Sequence, residues 1–219
     1  MKTKTSVLIV DDHPVVREGL ALRINRQPDL EVCGEAESPA EALRQIAACK
    51  PDLAIVDLLL KDGSGLELIR DIHTRHPRLP VLALSIQDER LYARRALQAG
   101  AKGYIMKQEA TDKVVEAVRH VLSGHVYLSD PMRLRLLDSL AGSDSMSFLS
   151  PIEQLSDREL EVFRLLGEGL GTRQIAERLH LSVKTVETYC DRIKVRLNLA
   201  SRSELVRDAV LWVHDGQAS

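Results

Sequence analysis

The stretch "VLIVDDHPVV", residues 7–16, joins a short apolar run to two acidic residues and a proline. Val7 to Val10 include no polar residue, which is typical of a strand that is buried on both faces of a sheet. Asp11 and Asp12 follow directly, and Pro14 suits the first turn of a helix. Adjacent carboxylates repel each other at the end of a buried strand, so we expect a positive group beside them.

The 219-residue chain has an ordinary globular composition, with 44% hydrophobic and 28% charged residues. Its net charge of −2 argues against polyanion binding over the whole surface, although a local basic strip is allowed. Cys33, Cys49 and Cys190 form no CxxC pair, which indicates a reducing compartment rather than a disulfide framework or a zinc site. Because we find neither a membrane-spanning run nor a signal-peptide pattern, we expect a cytoplasmic protein with no membrane partner.

Residues 1–125 alternate between short apolar runs and amphipathic segments. Five strand–helix units in succession predict an α/β fold, a flavodoxin-like (βα)5 doubly wound parallel sheet with helices on both faces. The predicted strands are Val7–Val10, Glu31–Gly34, Leu53–Val56, Val81–Leu84 and Gly103–Met106, and the predicted helices are Val15–Asn25, Pro39–Ala48, Leu66–Arg75, Glu89–Ala99 and Thr111–Leu122.

The residues after 125 fall into two parts, a linker and a helical region. Residues 126–151 form a linker in our interpretation, with a possible short helix at 132–141 and flexible chain at "GSDSMS", 142–147. Residues 152–219 show no strand pattern, and capping-box motifs at Ser156 and Ser201 predict helix starts. We therefore predict a small all-α tetrahelical helix-turn-helix domain, with helices at about 157–167, 172–179, 182–197 and 202–213.

Polar residues end four of the five predicted strands. Asp11 and Asp12 follow the first strand, Asp57 the third, Ser85 the fourth and Lys107 the fifth. Ligands bind beyond the carboxyl ends of strands in such sheets, so neighbouring strands would place these groups in one crevice. Mg²⁺ prefers oxygen ligands of this kind, and a carboxylate beside it can accept a phosphoryl group as an aspartyl phosphate.

Each of these residues has a simpler interpretation when it is taken alone. Asp12 could cap the helix that follows, Lys107 could be a solvated surface residue, and Ser85 could bond locally. His13 is interpreted as structural, because no second imidazole stands at ligand spacing. The combination of suitable groups at four strand ends favours a shared site.

The pieces "IVDDHPVVREGL", "LAIVDLLLKDGSG", "VLALS" and "AGAKGYIMK" resemble the receiver domain of two-component response regulators. This resemblance covers residues 6–123 in the family's order. It implies that Asp57 is the phosphoacceptor. It also implies that Asp12, Asp57 and the backbone carbonyl of Leu59 ligate Mg²⁺, with Asp11 acting through water.

The same resemblance assigns the residues around the acceptor. Ser85 and Tyr104 correspond to the family's switch pair, and Lys107 corresponds to its lysine. Two positions depart from the family pattern. Lys61 stands where a proline usually follows the acceptor, and Gln108 stands where many members have a proline after the lysine.

The segment "LSDRELEVFRLLGEGLGTRQIAERLHLSVKTVETYCDRIKVRLNL", 155–199, resembles the DNA-binding domain of the NarL/FixJ (LuxR-type) regulators. In its third helix an apolar stripe faces inward, and the opposite side is polar, as a helix lying in a major groove requires. The stripe is Val186, Cys190, Ile193 and Leu197, and the candidate DNA-binding residues are Arg173, Lys184, Thr185, Glu187, Thr188, Asp191, Arg192, Lys194 and Arg196.

Charge is unevenly distributed within this second half. Residues 151–219 carry ten Lys and Arg against eleven Asp and Glu, whereas residues 183–197 carry four cations against two anions. The positive charge is thus concentrated where a recognition helix needs it. Glu187 and Asp191 are unusual in such a helix, and a carboxylate there could accept from cytosine or position an arginine.

These observations predict a phosphorylation-controlled transcription factor rather than an enzyme. A sensor histidine kinase or a small phosphodonor would phosphorylate Asp57, and a homodimer would then bind double-stranded DNA. One alternative is a magnesium-dependent aspartyl phosphatase, which needs a second aspartate where this chain has Leu59. The other is a protein-interaction regulator that has lost DNA binding, which only Glu187 and Asp191 favour.

Overall fold

The computed structural model describes residues 4–141 and 151–217, which form two compact units divided between Leu136 and Leu137. The predicted flexible segment 142–147 lies outside the described residues. The predicted domain boundaries at 125 and 151 stay predictions. Within the described ranges, none of the helices combines the length and the apolar character needed to cross a bilayer.

The first unit is a five-stranded parallel sheet flanked by helices, which confirms the predicted fold class. Its elements are β1 Thr5–Val10, α1 Pro14–Asn25, β2 Leu30–Ala36, α2 Pro39–Cys49, β3 Leu53–Asp57, β4 Leu59–Leu60, β5 Gly63–Ser64, α3 Gly65–Arg75, β6 Val81–Ser85, α4 Glu89–Ala99, β7 Gly103–Met106 and α5 Lys107–Leu122, and α6 Asp130–Ala141 crosses the division between the two units. The strands of the sheet lie in the order β2-β1-β3-β6-β7, and β4 and β5, of two residues each, form a separate hairpin after β3.

The core of this unit is aliphatic, as expected from an aromatic content of 3%. Residues 7–10 of β1 and 53–56 of β3 are fully buried, because the sheet is covered on both faces. On one face, Leu20 and Ile24 of α1 pack with Val114 and Val118 of α5. This packing fixes β1, β3, β6 and β7 side by side, so their carboxyl ends meet at one edge.

The fifth helix differs from the prediction, because it begins at Lys107 and not at Thr111. No helix-breaking residue separates Met106 from Thr111, and Ala110 is buried in the core with 3% exposure. Lys107 is therefore the first residue of α5 and directly follows the end of β7. The hairpin of β4 and β5 was not predicted, since strands of two residues show no periodicity.

The second unit contains α7 Asp157–Gly167, α8 Thr172–Arg178, α9 Val183–Leu197 and α10 Arg202–Gln217, which confirms the predicted helical domain. The predicted capping box is present, since the Ser156 hydroxyl accepts from Glu159 N and the Glu159 carboxylate accepts from Ser156 N at 2.8 Å. In α9 the first three residues of the predicted stripe are buried, and Leu197 is half-buried. Helix α10 extends four residues beyond its predicted end.

The start of α3 touches the end of β3, and this contact requires a glycine. A Cβ atom on Gly65 would lie 2.0 Å from the carbonyl oxygen of Asp57 and 2.6 Å from Cα of Leu58. The Gly65 N–H also donates to the Leu58 carbonyl at 3.1 Å. The absence of a side chain at position 65 thus lets α3 begin directly against the strand end that carries Asp57.

We expect Gly65→Ala to lower the free energy of unfolding by about 1–3 kcal/mol, because backbone atoms must shift to admit the methyl group. Gly19→Ala is the matched control, since Gly19 is an exposed glycine within α1 with nothing within 4 Å of its Cβ position. That control should stabilise the protein by about 0.5–1 kcal/mol. Urea denaturation measures both, and equal stability of the two variants would contradict the proposed close contact.

Candidate functional site

Four polar side chains form a cluster at the carboxyl edge of the sheet. Asp11, Asp12, His13 and Asp57 each offer a ligand atom, and these atoms all lie within 4.8 Å of one another. Asp11 is fully buried and Asp57 is 1% exposed. Because β1 and β3 are neighbours, the structure brings together the carboxylates that the sequence places at their ends.

Lys107 supplies a positive group to this acidic cluster. Its Nζ atom lies 2.6 Å from Oδ2 of Asp11 and 2.8 Å from Oδ2 of Asp57. Burial by itself lowers the pKa of Lys107, but the charge of Asp57 and the hydrogen bonds that the ammonium donates to both carboxylates raise it above its ordinary value. Lys107 is therefore charged, and its ammonium bridges the two most buried carboxylates.

Asp57 is a desolvated carboxylate with both oxygens hydrogen-bonded. Oδ1 accepts from the backbone N–H of Leu59 at 3.0 Å, and Oδ2 accepts from Lys107. Burial raises the pKa of Asp57 to about 6, although the charge of Lys107 opposes this effect. Loss of hydration makes the carboxylate more basic, which suits an oxygen nucleophile.

The remaining charge of the cluster fits a divalent cation. Three carboxylates face a single ammonium, and oxygen-rich donor sets of this kind suit Mg²⁺. In the described part of the chain, no donor is aligned with the buried Oδ1 of Asp12, although Nδ1 of His13 lies 2.9 Å away. Helix α1 has His13 at its N-cap position, so Asp12 lies one residue outside the capping position.

His13 was interpreted from the sequence as structural, yet the structure places its ring in the cluster. Nδ1 lies 3.1 Å from Oδ1 of Asp11, and the side chain is 64% exposed. The only feature of the sequence that could have predicted this placement is the position of His13 directly after Asp12. The backbone of Leu59 belongs to β4 and pairs with Ser64, and a metal-ligating role for its carbonyl stays a prediction.

Ser85 and Tyr104 are connected through the backbone of Gln87. The Ser85 hydroxyl accepts from Gln87 N at 3.1 Å, and the Tyr104 hydroxyl donates to the Gln87 carbonyl at 2.6 Å. Ser85 is fully buried and Tyr104 is 1% exposed. Burial raises the pKa of Tyr104 well above its ordinary value, so its hydroxyl remains a donor. Sequence reasoning missed Gln87 because its role depends on backbone atoms.

The chain after α5 returns to the edge of the sheet. Tyr127 N donates to the Lys102 carbonyl at 3.0 Å, and its own carbonyl accepts from Tyr104 N at 2.9 Å. The carboxylate of Glu89, the first residue of α4, accepts from Ser129 N at 3.0 Å and from the Ser129 hydroxyl. The beginning of the predicted linker is therefore bonded to both β7 and α4.

A second candidate site is the outward face of α9, with Arg173 on α8. Six of the nine candidate DNA-binding residues are clearly exposed on α9, two are half-exposed, and Arg173 is exposed. The exposed residues on α9 are Lys184, Glu187, Thr188, Asp191, Arg192 and Arg196, and the half-exposed ones are Thr185 and Lys194.

Some of these candidate residues already have partners within the domain. Lys194 lies 3.0 Å from Asp191, and Arg196 lies 2.7 Å from Glu159. Glu159 is only 1% exposed, and Arg196 also donates to the Gln154 carbonyl at 2.9 Å. Arg196 thus neutralises a buried carboxylate, in addition to any contact with DNA.

The other cations on this face form no ion pairs within the described part of the domain, and two of the threonine hydroxyls bond within α9 or to its N-cap residue. Across residues 151–217, Lys184, Arg192 and Arg173 have no ion-pair partner among the described side chains. The Thr188 hydroxyl donates to the Lys184 carbonyl at 2.9 Å, and that of Thr185 lies 2.7 Å from the Ser182 hydroxyl. Three cations of this surface are therefore available for phosphate groups.

We expect Asp57→Asn to stabilise the metal-free protein at neutral pH by about 1–3 kcal/mol, because the variant buries no carboxylate there. The folded-state pKa of about 6 lies above the ordinary 3.8, so the folded form holds the proton more tightly. The difference should therefore be absent below about pH 4 and should grow as the pH rises to about 6. Urea denaturation in EDTA measures it, and lower stability of the variant at neutral pH would contradict this account.

Two known protein families match separate parts of this chain. The family described as "Response regulator receiver domain" matches residues 7–119, and the family "Bacterial regulatory proteins, luxR family" matches residues 153–209. The chain is 38% identical over 208 residues to the oxygen regulatory protein NreC of Staphylococcus carnosus, covering 93% of this chain and 96% of that protein.

Two further similarities extend over both units. The chain is 38% identical over 200 residues to the DNA-binding transcriptional activator DevR/DosR of Mycobacterium tuberculosis, covering 90% of each. The structure of RcsB from Salmonella enterica serovar Typhimurium bound to promoter P1flhDC in the presence of BeF3- matches with a TM-score of 0.70. That match has 25% identity and covers 94% of this chain and 98% of RcsB. The chain therefore belongs to the response regulators that carry a luxR-family domain, and it is a phosphorylation-controlled DNA-binding transcriptional regulator.

Proposed function

We propose that Asp57 accepts a phosphoryl group from a sensor histidine kinase or a small phosphodonor, and that this event controls dimerisation and DNA binding through α9. In this proposal residues 1–125 are the receiver domain, 126–151 the linker and 152–219 the DNA-binding domain. The single observation that carries it is the contact of Lys107 with Asp57 and Asp11 inside an acidic cluster.

Mg²⁺ would be held by Asp12, Asp57 and the Leu59 carbonyl, with Asp11 acting through water. When bound, the ion would neutralise charge on the phosphoryl oxygens. The surplus of carboxylates over ammonium in the cluster supports this assignment, as does the unbonded Oδ1 of Asp12. The imidazole of His13 lies beside these carboxylates, and because its side chain is exposed it could turn toward solvent when the ion binds.

The side chains around Asp57 suit phosphoryl transfer. A carboxylate oxygen of Asp57 attacks phosphorus, a mixed anhydride forms, and the donor's imidazole or carboxylate leaves with the bonding electron pair. The Asp57 side chain then carries about two negative charges instead of one. The ammonium of Lys107, 2.8 Å from Oδ2 in the unphosphorylated protein, is the nearest cation to receive the added charge.

The hydrogen bonds beyond the acceptor provide a connection to the linker. A phosphoryl group that draws the Ser85 hydroxyl toward itself competes with the bond to Gln87 N. The carbonyl of Gln87 also accepts the hydrogen bond of the Tyr104 hydroxyl, and the backbone N–H of Tyr104 donates to the Tyr127 carbonyl. Displacement of the turn before α4 would therefore change the bonds that hold Tyr127 and Ser129.

The DNA-binding half of the proposal is supported by the unpaired cations on α8 and α9. DevR/DosR is named as a DNA-binding transcriptional activator, and the RcsB structure was determined on a promoter with a phosphomimetic. A homodimer would present two copies of α9 to half-sites about one helical turn apart. Cations on α9 would contact phosphates, and Glu187 and Thr188 would face base edges.

We expect Asp57→Asn to abolish labelling by acetyl phosphate, because the amide cannot form the mixed anhydride. Phos-tag electrophoresis or intact-mass measurement, with Mg²⁺ present, detects the product. Asp62→Asn is the matched control, since Asp62 is an exposed carboxylate on the neighbouring hairpin and should leave labelling unchanged. Undiminished labelling of Asp57→Asn would overturn the acceptor assignment.

We expect Lys184→Ala to weaken DNA binding and to reduce the slope of log affinity against log salt by about one, because one phosphate contact is lost. Arg207→Ala is the control, since this exposed arginine on α10 pairs with Asp208 and lies outside the proposed surface. Fluorescence anisotropy with selected genomic fragments measures both variants. Equal affinity and salt dependence of Lys184→Ala and the wild type would refute the contact, and a parallel loss of phosphorylation would indicate misfolding.

A further inference from the structure

Two thiols that are distant in sequence meet between α2 and the edge strand β2. Cys33 lies within β2 and Cys49 is the last residue of α2, and their Sγ atoms are 3.1 Å apart. Both side chains are partly exposed, so small reagents can reach them. The Cys49 thiol also contacts the Gln45 carbonyl at 3.1 Å, which holds it on this side of the helix.

A β-bulge explains why Cys33 reaches α2. The register of β1 and β2 shifts between Val7, which faces Val32, and Leu8, which faces Gly34, so Cys33 has no Cα partner on β1. A bulge of this kind lets two consecutive residues turn toward the same side of a sheet. Cys33 contacts Cys49 of α2, and a Cβ atom at Gly34 would also meet the Cys49 sulfur, at 3.5 Å.

Gly34 leaves space for the side chains of Gln45 and Leu8 beside the thiol pair. A Cβ atom there would lie only 3.0 Å from Oε1 of Gln45 and 3.3 Å from Cδ1 of Leu8. The helix end can therefore approach the strand closely, and the two sulfurs need to move by about 1 Å to reach the disulfide bond length of about 2.0 Å.

We propose that Cys33 and Cys49 are a redox-modification site, at which a peroxide or a small disulfide converts the two thiols into an intramolecular disulfide. Two S–H bonds break and one S–S bond forms. The two electrons and two protons reduce hydrogen peroxide to two water molecules or a small disulfide to two thiols. The inference is independent of the acceptor assignment, because none of the residues around Asp57 takes part.

The environment of the pair makes it slow to oxidise. Burial raises the pKa of Cys33 to about 12, and the hydrogen bond to Cys49 adds to this effect. The thiolate of Cys33 is therefore scarce at neutral pH, and thiolate is the reacting form. Attack by the Cys33 sulfur would therefore be slow, and oxidation through this thiol would need sustained rather than brief exposure to the oxidant.

A disulfide here would join the C-terminal end of α2 to an edge strand. It would close a loop that contains the rest of β2 and all of α2, which reduces the conformational entropy of the unfolded chain. The thermal midpoint of unfolding should therefore rise by several degrees in the oxidised protein. Cys190 is 3% exposed and has no thiol beside it among the described residues. It can therefore be replaced without changing the proposed pair.

The experiment uses the full chain with Cys190→Ser, which keeps only the proposed pair. After incubation with oxidised glutathione or hydrogen peroxide, we expect both cysteines to resist alkylation and the monomer to lose the mass of two hydrogen atoms. Peptide mapping should find the linked peptides that contain Cys33 and Cys49, and dithiothreitol should restore both thiols. The Tm should rise on oxidation and fall on reduction.

The double variants Cys190→Ser with Cys33→Ser or Cys49→Ser are matched controls, each retaining one thiol. Each should show no internal link, no Tm rise, and at most a glutathione adduct or an oxidised single sulfur. Full alkylation of the Cys190→Ser protein, while a small dithiol is completely oxidised in the same tube, would overturn the proposal. Disulfide-linked dimers in place of the internal bond would also overturn it. If a serine variant fails to fold, peptide mapping of Cys190→Ser alone still decides the question.

Discussion

The bridge from Lys107 to Asp11 and Asp57 is the interaction on which the rest of the receiver unit depends. It joins the ends of β1 and β3 to the first turn of α5, which are otherwise connected through aliphatic packing. Removing Lys107 would leave buried carboxylates without a compensating cation, which is strongly unfavourable. One ammonium does not balance three carboxylates, however, and the remaining negative charge suits a divalent cation.

The same edge of the sheet also connects the site to the rest of the chain. Ser85 and Tyr104 are too buried to move independently, and both bond to the backbone of Gln87. A change in this turn therefore acts on α4 and on the edge of β7 together. Because Ser129 N donates to the Glu89 carboxylate, a residue of the predicted linker is bonded to the first turn of α4.

The DNA-binding unit divides its charged residues between folding and recognition. Arg196 is used to neutralise Glu159, whose carboxylate completes the capping box of α7, and Lys194 pairs with Asp191. Lys184, Arg192 and Arg173 carry the positive charge that remains for phosphates. Because acidic residues lie on the same face, we expect electrostatic attraction to DNA to be modest and contacts with base edges to contribute to affinity as well as to specificity.

The sequence by itself determined the fold class, the order of the elements and the residues at the strand ends, because apolar periodicity and capping motifs are local signals. It missed the start of α5 at Lys107, the inclusion of His13 in the acidic cluster and the internal partner of Arg196. Those features depend on which residues become neighbours after folding. The contact of Cys33 with Cys49 is of the same kind, since a bulge in β2 and the packing of α2 on this strand bring together thiols that the sequence separates. Only the tertiary structure decides such pairs, because packing of helices on the sheet sets distances between residues far apart in the chain.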